Sequence, residues 1–291
     1  LRSTVPVGTT RGIVLTILQK SNLKIGENFF LSFCPERTVE GNAIQELFDI
    51  PQVIGGITEK CVEKSSFLFN FLTKSTVRAE SVEASEFVKL LNNSFRDLSF
   101  AFSNAFVKVA ENFNLDANTI ISSANKGYPR NQIPLASPGV GGYCLTKDPY
   151  LYSNKYSHLY HSDLSKLGRR INSDTHNIVI RYIKKFILKN RLVKSNLKVL
   201  IVGMAFKGSP ETNDLRGSTS VDLYRDLNKL KLETFCFDNV ISSSDLAKSG
   251  FKVFENEINF KEIDIFLFMN NHPKNLLSNF FQKIHKNKPI L

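Results

Sequence analysis

Two rhythms of apolar and polar positions run along this chain. In the first, short apolar runs at residues 28–33, 53–57 and 76–78 flank a helical repeat at 61–71, punctuated by Cys34-Pro35 and Gly55-Gly56. Runs of that length alternating with helical segments predict an α/β domain with a parallel sheet. Residues 1–10 read as the end of a strand breaking into a turn, with Thr9 or Thr10 placed to cap a short helix through Leu18. The pattern thus begins in mid-sheet, with no opening βαβ unit.

The second rhythm is helical and long. Residues 81–113 contain neither Gly nor Pro, and Phe87, Leu90, Leu91, Phe95, Leu98, Phe102, Phe106 and Val109 recur at three- and four-residue steps. A helix of this length serves as a spine or an oligomer face. Lys89, Asn93 and Arg96 fall at i, i+4 and i+7 on one side of it; on its own such a stripe is an ordinary solvated face. Asp116 is placed to cap a short helix through Ala124, a loop is expected from Asn125 to Pro149, and a second long helix over 163–190. The first rhythm then returns. Residues 196–203 form a buried strand ending in Gly, followed by a helix at 218–230 and strands at 234–237 and 264–269.

Composition narrows the function classes. A chain of 291 residues with 42% hydrophobic and 22% charged residues can build two ordinary globular cores. No apolar run approaches the roughly 20 residues of a membrane helix, and no signal-peptide pattern is read within these residues. The four cysteines, Cys34, Cys61, Cys144 and Cys236, are scattered without a CxxC pair, which suits a reducing cytoplasm and neither a disulfide framework nor zinc. His158 and His161 lack a third ligand nearby, so no metal site is expected. The net charge of +11 is spread through helical segments. A lysine-rich solvated surface accounts for it, and a nucleic-acid partner is not expected.

Candidate chemistry gathers at residues 137–150. Gly139, Gly141 and Gly142 form a flexible turn that delivers Cys144, with Lys147 and Asp148 just beyond. A neighbouring cation favours thiolate, the nucleophilic form, and a carboxylate can orient a base or a water. The alternative is a surface loop with an incidental cysteine. Two phosphate motifs fail. Gly203-Met-Ala-Phe-Lys-Gly208 is followed by Ser209-Pro210 where a P-loop requires Lys-Ser/Thr, and Gly139-Val-Gly-Gly lacks a third glycine at dinucleotide spacing. The chain has no intact GxGxxG.

The order of its motifs resembles the nucleotide-sugar 6-dehydrogenases, the UDP-glucose and UDP-N-acetylmannosamine dehydrogenase family. The matching stretches are Ser3-Thr4-Val5-Pro6, Cys34-Pro35-Glu36-Arg37-Thr38-Val39-Glu40-Gly41, and Glu86-Phe87-Val88-Lys89-Leu90 with Asn93. They continue with Gly141-Gly142-Tyr143-Cys144 through Asp148-Pro149, Gly203-Met-Ala-Phe-Lys207, and Asp214-Leu215-Arg216. The resemblance implies three parts. Residues 1–79 would be the C-terminal part of a Rossmann NAD-binding domain, and 80–192 a helical dimerisation domain bearing the Cys loop. Residues 193–291 would be a Rossmann-like UDP-sugar-binding domain, broken off at Lys288-Pro-Ile-Leu291, the start of a last buried strand. On that template the chain is expected to be a portion of a longer enzyme.

The chemistry so implied is a four-electron oxidation of a sugar C6 alcohol to a carboxylate with two NAD, through a thiohemiacetal and a thioester. By resemblance Cys144 is the thiol, Lys89 and Asn93 stabilise the oxyanion, Asp148 assists proton movement, and Glu36 handles the hydrolytic water. Thr4, Glu40 and Arg216 match cofactor-binding positions. Lys207 and Gly141 match substrate-binding ones, and Arg130 an arginine that reaches a neighbouring subunit's site. Tyr143, Gly217 and Asn239 depart from the family's usual residues. The Cys-Pro-Glu-Arg-Thr-Val-Glu-Gly form leans toward UDP-N-acetylmannosamine over UDP-glucose as substrate. The rival expectation is a homodimerising, UDP-sugar-binding remnant with no place for NAD.

Overall fold

The computed structural model describes residues 1–193, 197–255 and 260–277. Its contacts divide into two units, one made of residues 1–96 and 147–166, the other of 97–146 and 167–291.

The first unit opens with a helical segment whose first six residues, Thr10–Leu15, are π-helical and which closes in a short α1 (Thr16–Leu18). Neither threonine caps it through its side chain. Thr9 Oγ1 donates to the Pro6 carbonyl, and Thr10 Oγ1 donates instead to Glu86. β1 is shorter than the apolar run suggests, spanning only Ser32–Phe33. After it come α2 (Ala43–Asp49), β2 (Gln52–Gly56), α3 (Glu59–Phe69) and β3 (Thr76–Arg78). The three strands make one sheet in the order β1-β2-β3. β2 and β3 are parallel, with Val53 opposite Val77, but β1 is antiparallel to β2, so this sheet is mixed.

Helix α4 (Val82–Glu111) is the predicted long helix and supplies residues to both units. α5 (Ala117–Asn125) is capped as expected, with the Asp116 carboxylate accepting from the Asn118 and Thr119 N–H groups. α6 (Tyr143–Ser153) replaces what the sequence suggested was loop as far as Pro149. Pro149 forfeits one backbone bond inside the helix, yet it is buried, and packing overrides the local preference. The second long helix, α7, spans Asp163–Lys189.

In the second unit β4 (Lys198–Val202), α8 (Thr219–Lys229), β5 (Glu233–Phe237), α9 (Ser243–Lys248), β6 (Ile265–Phe268) and α10 (Pro273–Leu277) follow in order. Their parallel sheet has the order β5-β4-β6, with Val199 opposite both Thr234 and Ile265. Alternate residues of β4 feed two cores. Val199 and Ile201 pack with Ile183 and Ile187 of α7, while Leu200 and Val202 pack with Phe235 and Phe266. A sheet covered on both faces explains why this strand reads as an unbroken apolar run. Just past β5, Asp238 accepts from four backbone N–H groups, those of Met204 (2.7 Å) and Ala205 (3.0 Å) after β4, and of Val240 (2.8 Å) and Ile241 (3.1 Å). The strand suggested by residues 288–291 lies outside the described residues.

Candidate active site

In the first unit, the chain leaving β1 is extended and half-pinned. The Cys34 and Glu36 N–H groups donate to the Leu1 and Arg2 carbonyls at 2.8 and 3.3 Å. Glu36 is half-buried, ion-paired with Arg2, and accepts from the Thr38 N–H at 3.0 Å. Burial works against its charge, but the Thr38 and Arg2 donors outweigh it and hold the carboxyl below the usual range. Lys89 donates from Nζ to the Glu36 carbonyl. One turn further along α4, Asn93 Nδ2 donates to Asp148 Oδ2 at 2.5 Å, and Lys147 pairs with the other oxygen of the same carboxylate. Asp148 itself is fully buried. Four residues chosen from sequence thus form two contact pairs, Glu36 with Lys89 and Asn93 with Asp148. Thr4 is half-buried and Glu40 exposed.

Glu86 belongs to a stretch that carries the family resemblance, but the sequence assigns it no role. Its buried carboxylate accepts from the Gly8 N–H (2.5 Å), the Thr10 N–H (2.8 Å) and the Thr10 hydroxyl (2.6 Å). It thereby ties the segment that follows Thr4 to the helix bearing Lys89 and Asn93.

In the second unit, residues 126–142 form no regular element, so their backbone polar groups need other partners. Asparagine side chains supply them. Asn125 bonds both the N–H and the carbonyl of Ile133, Asn118 does the same for Ala136, and Asn104 accepts from the Ser137 N–H. The glycines that follow are packed against protein. A Cβ on Gly141 would lie 2.3 Å from the Gly217 carbonyl oxygen, and Gly142 (φ +92°) sits against the Phe206 ring while its N–H donates to Gly217. The turn is therefore fixed, where glycine content alone suggested flexibility.

That turn starts α6, and Cys144 is its second residue. Cys144 is exposed, whereas Cys34, Cys61 and Cys236 are buried. A helix N-terminus favours negative charge, which suits a thiolate or an oxyanion formed at Sγ. Tyr143 is exposed beside it, with the Arg216 guanidinium 5.3 Å from its ring centroid. Asp214 clamps Arg216 through Nε (2.9 Å) and Nη2 (2.7 Å), and this hydrogen-bonded ion pair holds the Asp214 carboxyl below its ordinary value. Lys207 Nζ lies 5.5 Å from the Phe206 ring centroid. Arg130 is exposed and stacks on Tyr128, 4.5 Å from that ring's centroid, with Nε donating to the Tyr128 hydroxyl. Arg96, set beside Lys89 and Asn93 by spacing, is exposed, and Asp97 continues the buried side of α4 in its place. The missed signal is the step itself, since Lys89, Asn93 and Asp97 are separated by four residues each.

Among the described residues no three His, Cys, Asp or Glu side chains converge on a metal position, and no helix is long and apolar enough to cross a membrane. For NAD, the residues present fit only in part. The sheet β1-β2-β3 and the segment at Thr4 are in place, but no glycine-rich cradle for a pyrophosphate accompanies them in the 291 residues.

Residues 1–73 match the NAD binding domain of the UDP-glucose/GDP-mannose dehydrogenase family, and residues 83–174 match that family's central domain. The UDP-N-acetyl-D-glucosamine 6-dehydrogenase of Pseudomonas aeruginosa is 30% identical over 246 residues, covering 84% of this chain and 57% of that protein. The UDP-N-acetyl-D-mannosamine dehydrogenase of Campylobacter jejuni is 33% identical over 230 residues, covering 77% of this chain and 54% of that one. This chain thus spans about half the length of the curated relatives it matches. A UDP-N-acetyl-mannosamine dehydrogenase structure from Staphylococcus aureus superposes with a TM-score of 0.79 at 28% identity, covering 99% of this chain and 65% of the other.

Proposed function

Because this chain belongs to the UDP-glucose/GDP-mannose dehydrogenase family, an NAD-dependent enzyme family, we propose that it carries the thiol half of a four-electron oxidation. The reaction would convert the C6 alcohol of a UDP-sugar to a carboxylate. NAD, when bound, accepts the hydride at each of the two oxidations. One observation carries the reading: α6 bears Cys144 in its first turn and, one turn later, the buried Asp148 that Asn93 holds from α4.

In this reading Cys144 Sγ adds to the C6 aldehyde left by the first oxidation, and the proton of the new hemithioacetal hydroxyl leaves during the second. Lys89 and Asn93 are preorganised donors to the oxyanion, a role worth about 3–4 kcal/mol per donor in comparable sites. Asp148, anchored by Asn93 and Lys147, moves the proton. Glu36, ionised at neutral pH through Thr38 and Arg2, is the base for the water that opens the thioester. Thr4, Glu40 and Arg216 serve the cofactor, Lys207 and Gly141 the nucleotide sugar, and Arg130 a neighbouring subunit. The three-part division at 79 and 192 follows the same template. UDP-N-acetyl-D-mannosamine is the proposed substrate, supported by relatives such as that of Campylobacter jejuni.

The second copy is proposed to dock on α4. Phe87, Leu91, Phe95, Phe102, Phe106 and Val109 form an exposed apolar stripe along it. Sedimentation at micromolar concentration reads the mass directly, and a monomer would remove this part of the proposal.

The deciding experiment joins the chain to a complete NAD-binding domain and supplies UDP-N-acetyl-D-mannosamine, UDP-N-acetyl-D-glucosamine or UDP-glucose. Two NADH per sugar, with Cys144→Ser at least a thousandfold slower, is the expected result. No NADH with any of the three, accompanied by retained UDP-sugar binding, would favour a binding remnant.

A further inference from the structure

A buried polar network in the second unit ends on the turn that delivers the thiol. Asp97 of α4 and Arg169 of α7 are both almost fully buried, and Arg169 Nη1 donates to Asp97 Oδ1 at 2.5 Å. The same nitrogen reaches the Val140 carbonyl at 3.4 Å, four residues before Cys144. Asn172, one turn after Arg169's neighbour on α7, donates to both the carbonyl and the side chain of Asp97 at 2.8 Å. Asn172 in turn accepts from Asn104 (3.0 Å), whose own oxygen accepts from the Ser137 N–H at 3.0 Å.

The helices can come this close because α7 has no side chain at Gly168, where a Cβ would stand 2.7 Å from Leu98. Stripping buried charges and amides of the partners they have is costly, so such a network has few alternative arrangements. It touches the Cys loop at Ser137, just before the glycine turn, and at Val140, within it. Nothing in the proposed chemistry uses Asp97, Arg169 or Asn172 directly.

We propose that Arg169, Asn172 and Asn104, set by Asp97, are positioning residues that fix the start of α6 and so hold Cys144 against the N–H groups of that helix's first turn. The inference deepens the reading of Cys144 as the reactive thiol and rests on it for its meaning. Its test is independent. A loosened Val140 shifts the turn, the first helical turn frays, and the thiolate loses the favourable end of the helix.

The test uses this chain as it stands, with no NAD and no sugar. Cys144 is the exposed thiol among three buried ones, so iodoacetamide labelling read by mass spectrometry follows Cys144, with Cys34, Cys61 and Cys236 as internal reporters of folding. Arg169→Lys keeps the charge but loses the planar fork. Its Cys144 labelling rate is expected to fall at least threefold while the other three thiols stay protected. A rate within twofold of wild type, or a faster one, with those thiols protected would overturn the proposal. If Arg169→Lys exposes the buried thiols, the same criterion passes to Asn104→Ala, which removes the bonds to Ser137 and Asn172. Exposure of the buried thiols in both variants would assign the network to global stability and overturn the proposal as well. Because only the ratio to wild type is read, this inference can fail while the dehydrogenase reading stands, and the reverse.

Discussion

Two aspartates, one in each unit, are equally buried and differently held. Asp148 is inaccessible but its cation, Lys147, keeps about a third of its side chain in solvent, and each carboxylate oxygen has its own donor. Asp97 faces a guanidinium that is itself 4% exposed, and its Oδ2 has no partner among the described residues. The first arrangement can be remade, because a lysine that leaves the carboxylate reaches water. The second cannot, because breaking it strands a charge in the interior. A carboxylate that must exchange protons belongs in the first kind of setting, and one that must keep two helices in register belongs in the second.

Removing the carboxylates tests this contrast most strongly. Asp97→Ala leaves Arg169 buried and unpaired and is expected to cost about 3–5 kcal/mol in urea unfolding. Asp148→Ala lets Lys147 relax into solvent and leaves chiefly Asn93 to be satisfied, so about 1–2 kcal/mol is expected. Equal losses at the two sites would erase the distinction.

A subtler effect lies in pH. Burial pushes the Asp97 carboxyl above its ordinary value of 3.8, with Arg169 pulling it back in part. The folded state therefore holds that proton to higher pH than the unfolded chain does. Its contribution is fully present below the unfolded value and is lost as pH rises through the folded one. The stability of wild type relative to Asp97→Asn should shrink as pH rises from 3.8 through that window. Glu36 in the first unit is shifted the other way, so its contribution is present above the unfolded value and is lost on acidification. A difference between wild type and Asp97→Asn that grows with pH would contradict the burial argument. The smallest effect belongs to Lys108–Asp174, where both side chains are about half exposed. Lys108→Ala should change the unfolding free energy in urea by less than about 0.5 kcal/mol.

The long elements were legible because their periodicity is long. α4 and α7 follow from repeats sustained over many turns, and the short β4 from its unbroken apolar run. β1 is shorter than the apolar run because Phe29 pairs only in an isolated bridge with Ile25 and Phe30 is exposed, and its antiparallel direction is set by partners that no local pattern encodes. The start of α6 was missed because Pro149 and three glycines are loop signals, whereas the glycines here admit Phe206 and Gly217 and the proline is tolerated in a packed helix. The motif residues could be chosen from the chain, but their pairing could not. Asn93 with Asp148 spans 55 positions and Lys89 with Glu36 spans 53. Asp97 went unremarked for a different reason: an acid on a long helix looks solvated until the arginine that buries it is seen.

Asp238 has a consequence for the turn after β4. The Met204 and Ala205 N–H groups are the donors with which a glycine-rich turn of this kind would grip a phosphate. Here the protein has supplied its own anion, and that carboxylate also ties down the start of the next turn at Val240 and Ile241. The second α/β unit is thus electrically closed at the spot where its fold is most disposed to take a diphosphate. Whatever binds at these strand ends has to be selected by side chains, because the backbone's own claim on negative charge is already filled from within.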